Sequence, residues 1–125
     1  MAYNVLLVDD SATVRAVMAK TLKLAQIDMG DFFTAANGRE ALEVLRAKWI
    51  DLVITDLNMP EMTGAELVDE MTSDEQLKSI PVIVVTTEGS VTRIEDLKQK
   101  GVRGYVRKPF TPEQIREMII KVMGE

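Results

Sequence analysis

Apolar residues along this chain come in two kinds of run, and the two kinds alternate. Short, nearly continuous runs such as Val5-Leu6-Leu7-Val8, Leu52-Val53-Ile54-Thr55 and Val82-Ile83-Val84-Val85 are the pattern of strands buried on both faces. Between them apolar residues recur every three or four positions, the pattern of helices with one buried stripe. The runs predict strands at Val5 to Val8, Phe32 to Ala35, Asp51 to Thr55, Val82 to Val85 and Arg103 to Val106. The second is the weakest and is expected near a sheet edge.

The helices announce themselves by their caps. Ser11 caps the first, whose stripe is Val14, Val17, Met18, Thr21, Leu22 and Ala25; Gly30 then ends a linker. Asn37-Gly38-Arg39-Glu40 and Thr63-Gly64-Ala65-Glu66 resemble capping boxes, opening helices with buried faces at Ala41, Leu42 and Leu45 and at Leu67, Val68 and Met71. A fourth helix is expected from about Ser90 to Lys100, carrying Val91, Ile94 and Leu97 and ended by Gly101. Thr111 caps the fifth, with Pro112 at its first position, Gln114 completing the box, and Ile115, Met118, Ile119 and Val122 as its stripe. Asn58-Met59-Pro60 reads as a turn and Ser73 to Ile80 as a polar connection. Met18, Met71 and Met118 fall at core positions and read as packing.

Five strand–helix units in strict alternation imply right-handed crossovers. The expected fold is α/β: a doubly wound, five-stranded parallel sheet with helices on both faces. No Pro/Gly-rich linker or low-complexity tract divides the chain, so residues 1–125 are expected to form a single domain with no effector domain attached.

Composition narrows the function. Twenty acidic residues against fifteen basic ones give a net charge of −5, which argues against a general nucleic-acid binder. The chain has no Cys, hence no disulfide, thiolate metal site or redox motif. It also has no His, so it holds neither a histidine base nor a histidine phospho-acceptor. Apolar runs are too short for a membrane span, and the N-terminus enters a strand without a basic region. The expectation is a soluble cytoplasmic protein.

Three strand ends carry charge. Asp9 and Asp10 follow Val8, Asp56 follows Thr55, and Lys108 follows Tyr105-Val106-Arg107 and precedes Pro109. Thr86 closes the Val82 run. In open α/β sheets, ligands bind outside the carboxyl ends of the strands, where all of these residues fall. Singly, each has an ordinary reading as a turn, cap or solvated residue. Together, three carboxylates facing a lysine suit a hard divalent cation and a phosphoryl group: Asp10 and Asp56 as carboxylate ligands, the main-chain carbonyl of Asn58 as a third, and Asp9 on a metal-bound water. A carboxylate can also attack phosphorus to form an aspartyl phosphate, provided a cation and a lysine offset the repulsion between oxygens.

These residues, in this order and spacing, resemble the receiver domain of two-component response regulators. The acidic pair in Leu6-Leu7-Val8-Asp9-Asp10-Ser11, the segment Thr55-Asp56-Leu57-Asn58-Met59-Pro60 with Gly64 downstream, Thr86, and Lys108-Pro109-Phe110 carry the likeness, which spans the whole chain. The run Gly104 to Thr111 brings it closest to the stand-alone chemotaxis members. The resemblance implies a flavodoxin-like fold, phosphorylation of Asp56 by a histidine kinase or phosphotransfer protein, and Mg²⁺ or Mn²⁺ held by Asp9, Asp10, Asp56 and Asn58. It implies that Thr86 and Lys108 contact the phosphoryl group. Thr86 and Tyr105 would be a switch pair remodelling the face of the fourth helix, fifth strand and fifth helix for a downstream protein target. A cis Lys108-Pro109 bond is also implied. Asn58, Thr87 and Glu88 flank the entrance and would tune the lifetime of the phosphate. Thr87 stands where Ala or Gly is usual, and Ser90-Val91-Thr92 precede Arg93 where chemotaxis members often have an earlier basic residue. Arg93, Arg107 and Lys121 would form a basic strip on the output face.

Other readings compete: a phosphorelay shuttle or other single-domain adaptor, a Mg²⁺-dependent phosphatase with an aspartyl nucleophile, and a flavin-binding electron carrier. The phosphatase needs Asp-x-Asp after the first strand, whereas here the two acids are adjacent; the flavin phosphate would be repelled by Asp9 and Asp10. A monomer is expected.

Overall fold

The structure is a computed structural model that describes residues 2–87 and 91–124, with the side chains of 91–93 left aside. Five strands and five helices alternate: β1 (Tyr3–Val8), α1 (Ala12–Leu24), β2 (Met29–Ala35), α2 (Gly38–Ala47), β3 (Leu52–Asp56), α3 (Gly64–Thr72), β4 (Val82–Thr86), α4 (Val91–Gln99), β5 (Gly104–Arg107) and α5 (Pro112–Met123). All strand pairs are parallel, in the order β2-β1-β3-β4-β5. The weak second strand is indeed an edge.

The continuous apolar runs are explained by the pleat. Successive side chains point to opposite faces, so Leu6, Val8, Val53, Val82 and Val84 join one core with Leu42, Leu45, Leu67, Val68, Met71 and Leu97 of α2, α3 and α4. Val5, Leu7, Leu52, Ile54, Ile83, Val85 and Val106 join another with Met18, Leu22, Ile115 and Ile119 of α1 and α5. Two buried faces leave no room for a polar alternation along β1, β3 and β4.

Helix starts follow their caps. Ser11 accepts from the amide of Val14, Thr63 from that of Glu66 and Thr111 from that of Gln114, and the last two are complete capping boxes. Asn37 caps α2, but Glu40 returns to the amide of Ala36 rather than to that of Asn37, so the box there is shifted by one residue. The Ser73 to Ile80 connection includes a helical turn in which the amides of Leu77 and Lys78 bond the Asp74 carbonyl.

Three expectations need correction. Val17 is 59% exposed: the side of α1 that meets the sheet runs through Met18, Leu22 and Ala25, and Val17 lies off that line. Gly30 does not end a linker but sits inside β2, because Met29 already pairs with Tyr3 and the Asn4 side chain takes the amide of Asp31 across a bulge. The third and fifth strands each lie one residue later than their runs predict, and the fourth extends one residue further, so Asp56, Thr86 and Arg107 are strand residues. Ladder hydrogen bonds, not side-chain polarity, decide where a strand stops. Met18 and Met71 are buried and Met118 packs against the core, as expected. Glu88 and Ser90 lie outside the described residues.

Candidate functional site

The strand order reverses between β1 and β3: the chain leaves β1 toward β2 on one side and returns to β3 on the other. The carboxyl ends at such a switch point splay apart and leave a crevice. Asp9 and Asp10 rim it from β1 and Asp56 from β3. Val8 pairs with Thr55, which sets Asp9 level with Asp56. Asp56 pairs with Val85 and Val85 with Val106, so Thr86 ends its strand one residue above that level and Lys108 lies two above it. The amide of Lys108 bonds the Thr86 carbonyl at 2.8 Å, which holds the β5 end against β4. The Lys108–Pro109 bond is cis, as the family resemblance implied.

The strand register places the backbones, and side-chain length closes the gap. The Lys108 ammonium reaches back across the crevice to Asp9 Oδ2 at 2.9 Å and lies 3.6 Å from Asp56 Oδ2. Asp9 is only 2% exposed, a carboxylate that would be costly to bury alone. It is satisfied on every side: its amide donates to the Ala35 carbonyl, Oδ1 accepts from the Ser11 amide at 2.9 Å, and its own carbonyl accepts from Arg15 Nη1 at 2.6 Å. Asp10 faces solvent. Asp56 is half-buried, and its Oδ1 accepts from the Leu57 amide at 2.8 Å.

Carboxylate oxygens of Asp9, Asp10 and Asp56 come within 4.8 Å of one another. Three hard anionic oxygens, one of them on an exposed residue that leaves room for water and phosphate, match what Mg²⁺ or Mn²⁺ takes; thiolate or imidazole ligands, which other metals prefer, do not occur in this chain. Burial pushes the Asp56 carboxyl above its ordinary range; Lys108 pulls it down, Asp9 pushes it up, and the Leu57 amide pulls it down.

A stability consequence follows from that direction. With a folded-state pKa above the unfolded one, the native protein binds more protons than the unfolded chain between the two values, so stability falls as pH rises through that window. The cost is fully present above that window. In Mg²⁺-free buffer at pH 7, Asp56→Asn is expected to raise Tm, because the amide carries no charge to bury. The difference should shrink as pH is lowered into the acid range. A melting curve at or below wild type at pH 7 would contradict it.

Of the remaining expected residues, the described ones lie on β4, β5 and α5 and in the loops after β3 and β4. Thr86 is 1% exposed at the end of β4. Tyr105 lies on β5 with its ring packed against the core on the α4 side and its hydroxyl buried. Asn58 is exposed in the loop after β3. That loop is tied down: Glu61 takes a left-handed φ of 64° and accepts from Asn37, and Met62 packs where a side chain on Gly38 would lie. Gly64 donates to the Leu57 carbonyl at 2.8 Å, and any Cβ there would collide with the Asp56 carbonyl oxygen. Thr87 is exposed and shares a groove with Lys108, Pro109, Phe110 and Val17. Glu88 lies outside the described residues, as does the Arg93 side chain. Arg107 and Lys121 line one groove with Tyr105 and Met118 along β5 and α5.

Sequence pattern does not single out Arg15, because a basic residue in the first turn of a helix ordinarily reads as solvated. The signal that finds it is geometric: helical side chains lean toward the helix N-terminus, so a long one here reaches the strand end.

Comparison with known proteins converges on the same arrangement. Residues 5–120 match the family model of the response regulator receiver domain. The chain is 40% identical over 122 residues to chemotaxis protein CheY1 of Helicobacter pylori, covering 97% of each. It is 40% identical over 121 residues to chemotaxis protein CheY of Pseudomonas aeruginosa, covering 95% of this chain and 94% of that one. The solved structure of chemotaxis protein CheY4 of Vibrio cholerae superposes with a TM-score of 0.87 at 37% identity, over 98% of this chain and 99% of the other. A match over nearly the full length, on a parallel sheet of this order with an acidic cluster at its switch point, means that this chain belongs to the response regulator receiver domain family of two-component systems.

Proposed function

We propose that this protein is a phosphorylation-controlled regulator whose Asp56 accepts a phosphoryl group from a histidine kinase or phosphotransfer protein, with Mg²⁺ or Mn²⁺, and whose output is a contact with a protein target. The observation that carries the proposal is the crevice in which Asp56 Oδ2 lies 3.6 Å from the Lys108 ammonium and beside the carboxylates of Asp9 and Asp10. The donor must be external, because the chain has no histidine. Its relatives at 40% identity are chemotaxis proteins, which favours a chemotaxis role over a phosphorelay shuttle or another adaptor.

In this reading Asp9, Asp10, Asp56 and the Asn58 carbonyl hold the cation, which when bound supplies charge to offset repulsion between carboxylate and phosphoryl oxygens. An oxygen of Asp56 attacks phosphorus, the P–N bond to the donor imidazole breaks, and the imidazole leaves with the electron pair. Asp56 Oδ1 is engaged by the Leu57 amide, which aims the carboxylate and leaves Oδ2 facing Lys108. Lys108 stays bound to Asp9 before transfer and shifts toward the phosphoryl oxygens as negative charge accumulates there. Thr86, at the next strand end, donates its hydroxyl to the same group. Movement of Thr86 frees or fills space beside Tyr105, whose ring already packs toward α4, and so couples Asp56 to the groove of Tyr105, Arg107, Met118 and Lys121. The protein acts as a single receiver domain, monomeric and cytoplasmic; among the described residues no helix is long and apolar enough to cross a membrane.

The test is labelling by acetyl phosphate. With Mg²⁺ the protein gains one acid-stable, hydroxylamine-labile phosphate, and without a divalent cation it gains none. Sustained turnover of p-nitrophenyl phosphate instead would point to a phosphatase. Thr87 is exposed and shares a groove with Lys108, and in this reading its side chain narrows the approach of water to the acyl phosphate. Thr87→Ala is expected to shorten the phosphate lifetime about two- to fivefold, equivalent to roughly 0.5–1 kcal/mol of barrier. Equal decay of the two proteins in an autodephosphorylation assay would remove Thr87 from this role.

A further inference from the structure

We infer that Arg15 is a positioning residue for the cation site, acting through the peptide bond between Asp9 and Asp10. This inference rests on the function proposed above. Arg15 stands in the first turn of α1, its amide bonded to the Ser11 carbonyl at 2.9 Å. Its guanidinium turns back toward β1 and donates from Nη1 to the Asp9 carbonyl oxygen at 2.6 Å, a short bond of the charge-assisted kind. That oxygen belongs to the peptide group joining the two acids. A peptide group is planar, so holding its oxygen fixes the plane and with it the Cα of Asp10.

The two acids depend on this unequally. Asp9 is anchored independently by Ala35, Ser11 and Lys108. Asp10 projects into solvent, and the direction in which its carboxylate starts out is set by the backbone that Arg15 holds. Mg²⁺ tolerates little deviation from octahedral geometry, so a ligand on an unpinned turn binds it less well. The guanidinium also brings a positive charge to the main chain that joins two of the three clustered acids. Charge and hydrogen bond are separable, because Lys at this position keeps the first and lacks the planar fork needed to reproduce the second.

The experiment is calorimetric titration of the phosphate-free protein with Mg²⁺ alone, for wild type, Arg15→Met, Arg15→Lys and Lys20→Met. Lys20 is an exposed charge on the same helix and controls for net charge. Circular dichroism confirms that each variant is folded. Arg15→Met is expected to weaken Mg²⁺ binding about tenfold, the usual scale for groups that orient metal ligands. Arg15→Lys should recover only part of this, and Lys20→Met should stay within twofold of wild type. In acetyl phosphate labelling, Arg15→Met should raise the Mg²⁺ concentration for half-maximal rate while leaving the rate at saturating Mg²⁺ close to wild type. An Arg15→Met affinity within twofold of wild type overturns the inference. So does full recovery by Lys, or an equal loss in Lys20→Met, since either makes charge alone the cause. A wild-type protein that binds no Mg²⁺ overturns the proposed function itself, a result distinct from these.

Discussion

Asp56→Asn is expected to take up no phosphate from acetyl phosphate under conditions in which the wild-type protein is labelled to one equivalent. The amide keeps the size of the side chain and can still accept the Leu57 hydrogen bond, so the strand end that places residue 56 should persist. What disappears is the anionic oxygen that attacks phosphorus in the proposed reaction, together with one of three carboxylates in the cluster. Neither neighbour can substitute. Asp9 is 2% exposed and locked by Ser11 and Lys108, and Asp10 lies on the rim, facing solvent. Mass spectrometry of the intact protein and scintillation counting of hydroxylamine-released phosphate both read the outcome. Labelling of Asp56→Asn at the wild-type rate would transfer the acceptor role to another residue and end the assignment. Loss of labelling together with a higher Mg²⁺-free melting temperature would tie the chemistry and the electrostatic cost to one carboxylate.

Lys108→Met should produce the second large effect, on two observables at once. Removing one donor aimed at developing negative charge costs about 10²–10³ in rate. Lys108 is the cation closest to Asp56 among the described residues, at 3.6 Å, so its loss should slow acetyl phosphate labelling by that factor at saturating Mg²⁺. Lys108 also neutralises Asp9 at 2.9 Å, and Asp9 has almost no access to water. Leaving a buried carboxylate without its partner costs on the order of 2–3 kcal/mol. Methionine fills a similar volume, so a fall in stability would report the lost charge rather than a cavity. Mg²⁺ should restore part of the stability by supplying positive charge to the same carboxylates. Labelling within threefold of wild type would show that Lys108 serves only Asp9.

Much of this protein was legible before its structure, because its signals are local or periodic. The runs at Val5, Leu52 and Val82 mark strands buried on both faces, and the caps at Ser11, Asn37, Thr63 and Thr111 mark helix starts through bonds that span three residues. Alternation of the two implied a parallel sheet, and a parallel sheet brings its strand ends to one edge. Asp9, Asp10, Asp56, Thr86 and Lys108 were therefore recognisable as neighbours. What sequence pattern misplaces depends on packing across elements. Val17 carries the right residue type at the right period, yet lies outside the arc of α1 that meets the sheet. Gly30 looks like a breaker, yet the edge strand runs through it because Asn4 satisfies the neighbouring amide.

The sequence by itself determined the fold class and the edge of the sheet at which the charges gather, and it suggested the chemistry proposed for them, since each follows from residue type and spacing along one chain. Only the tertiary structure decided which charges touch. Lys108 bonds Asp9 more closely than Asp56, Arg15 grips the peptide between the two acids, and Gly64 lies against the Asp56 carbonyl. The reason is distance. A pairing between residues 9 and 108 is set by strand order, register and the reach of one side chain, none of which is written in any local stretch of the chain.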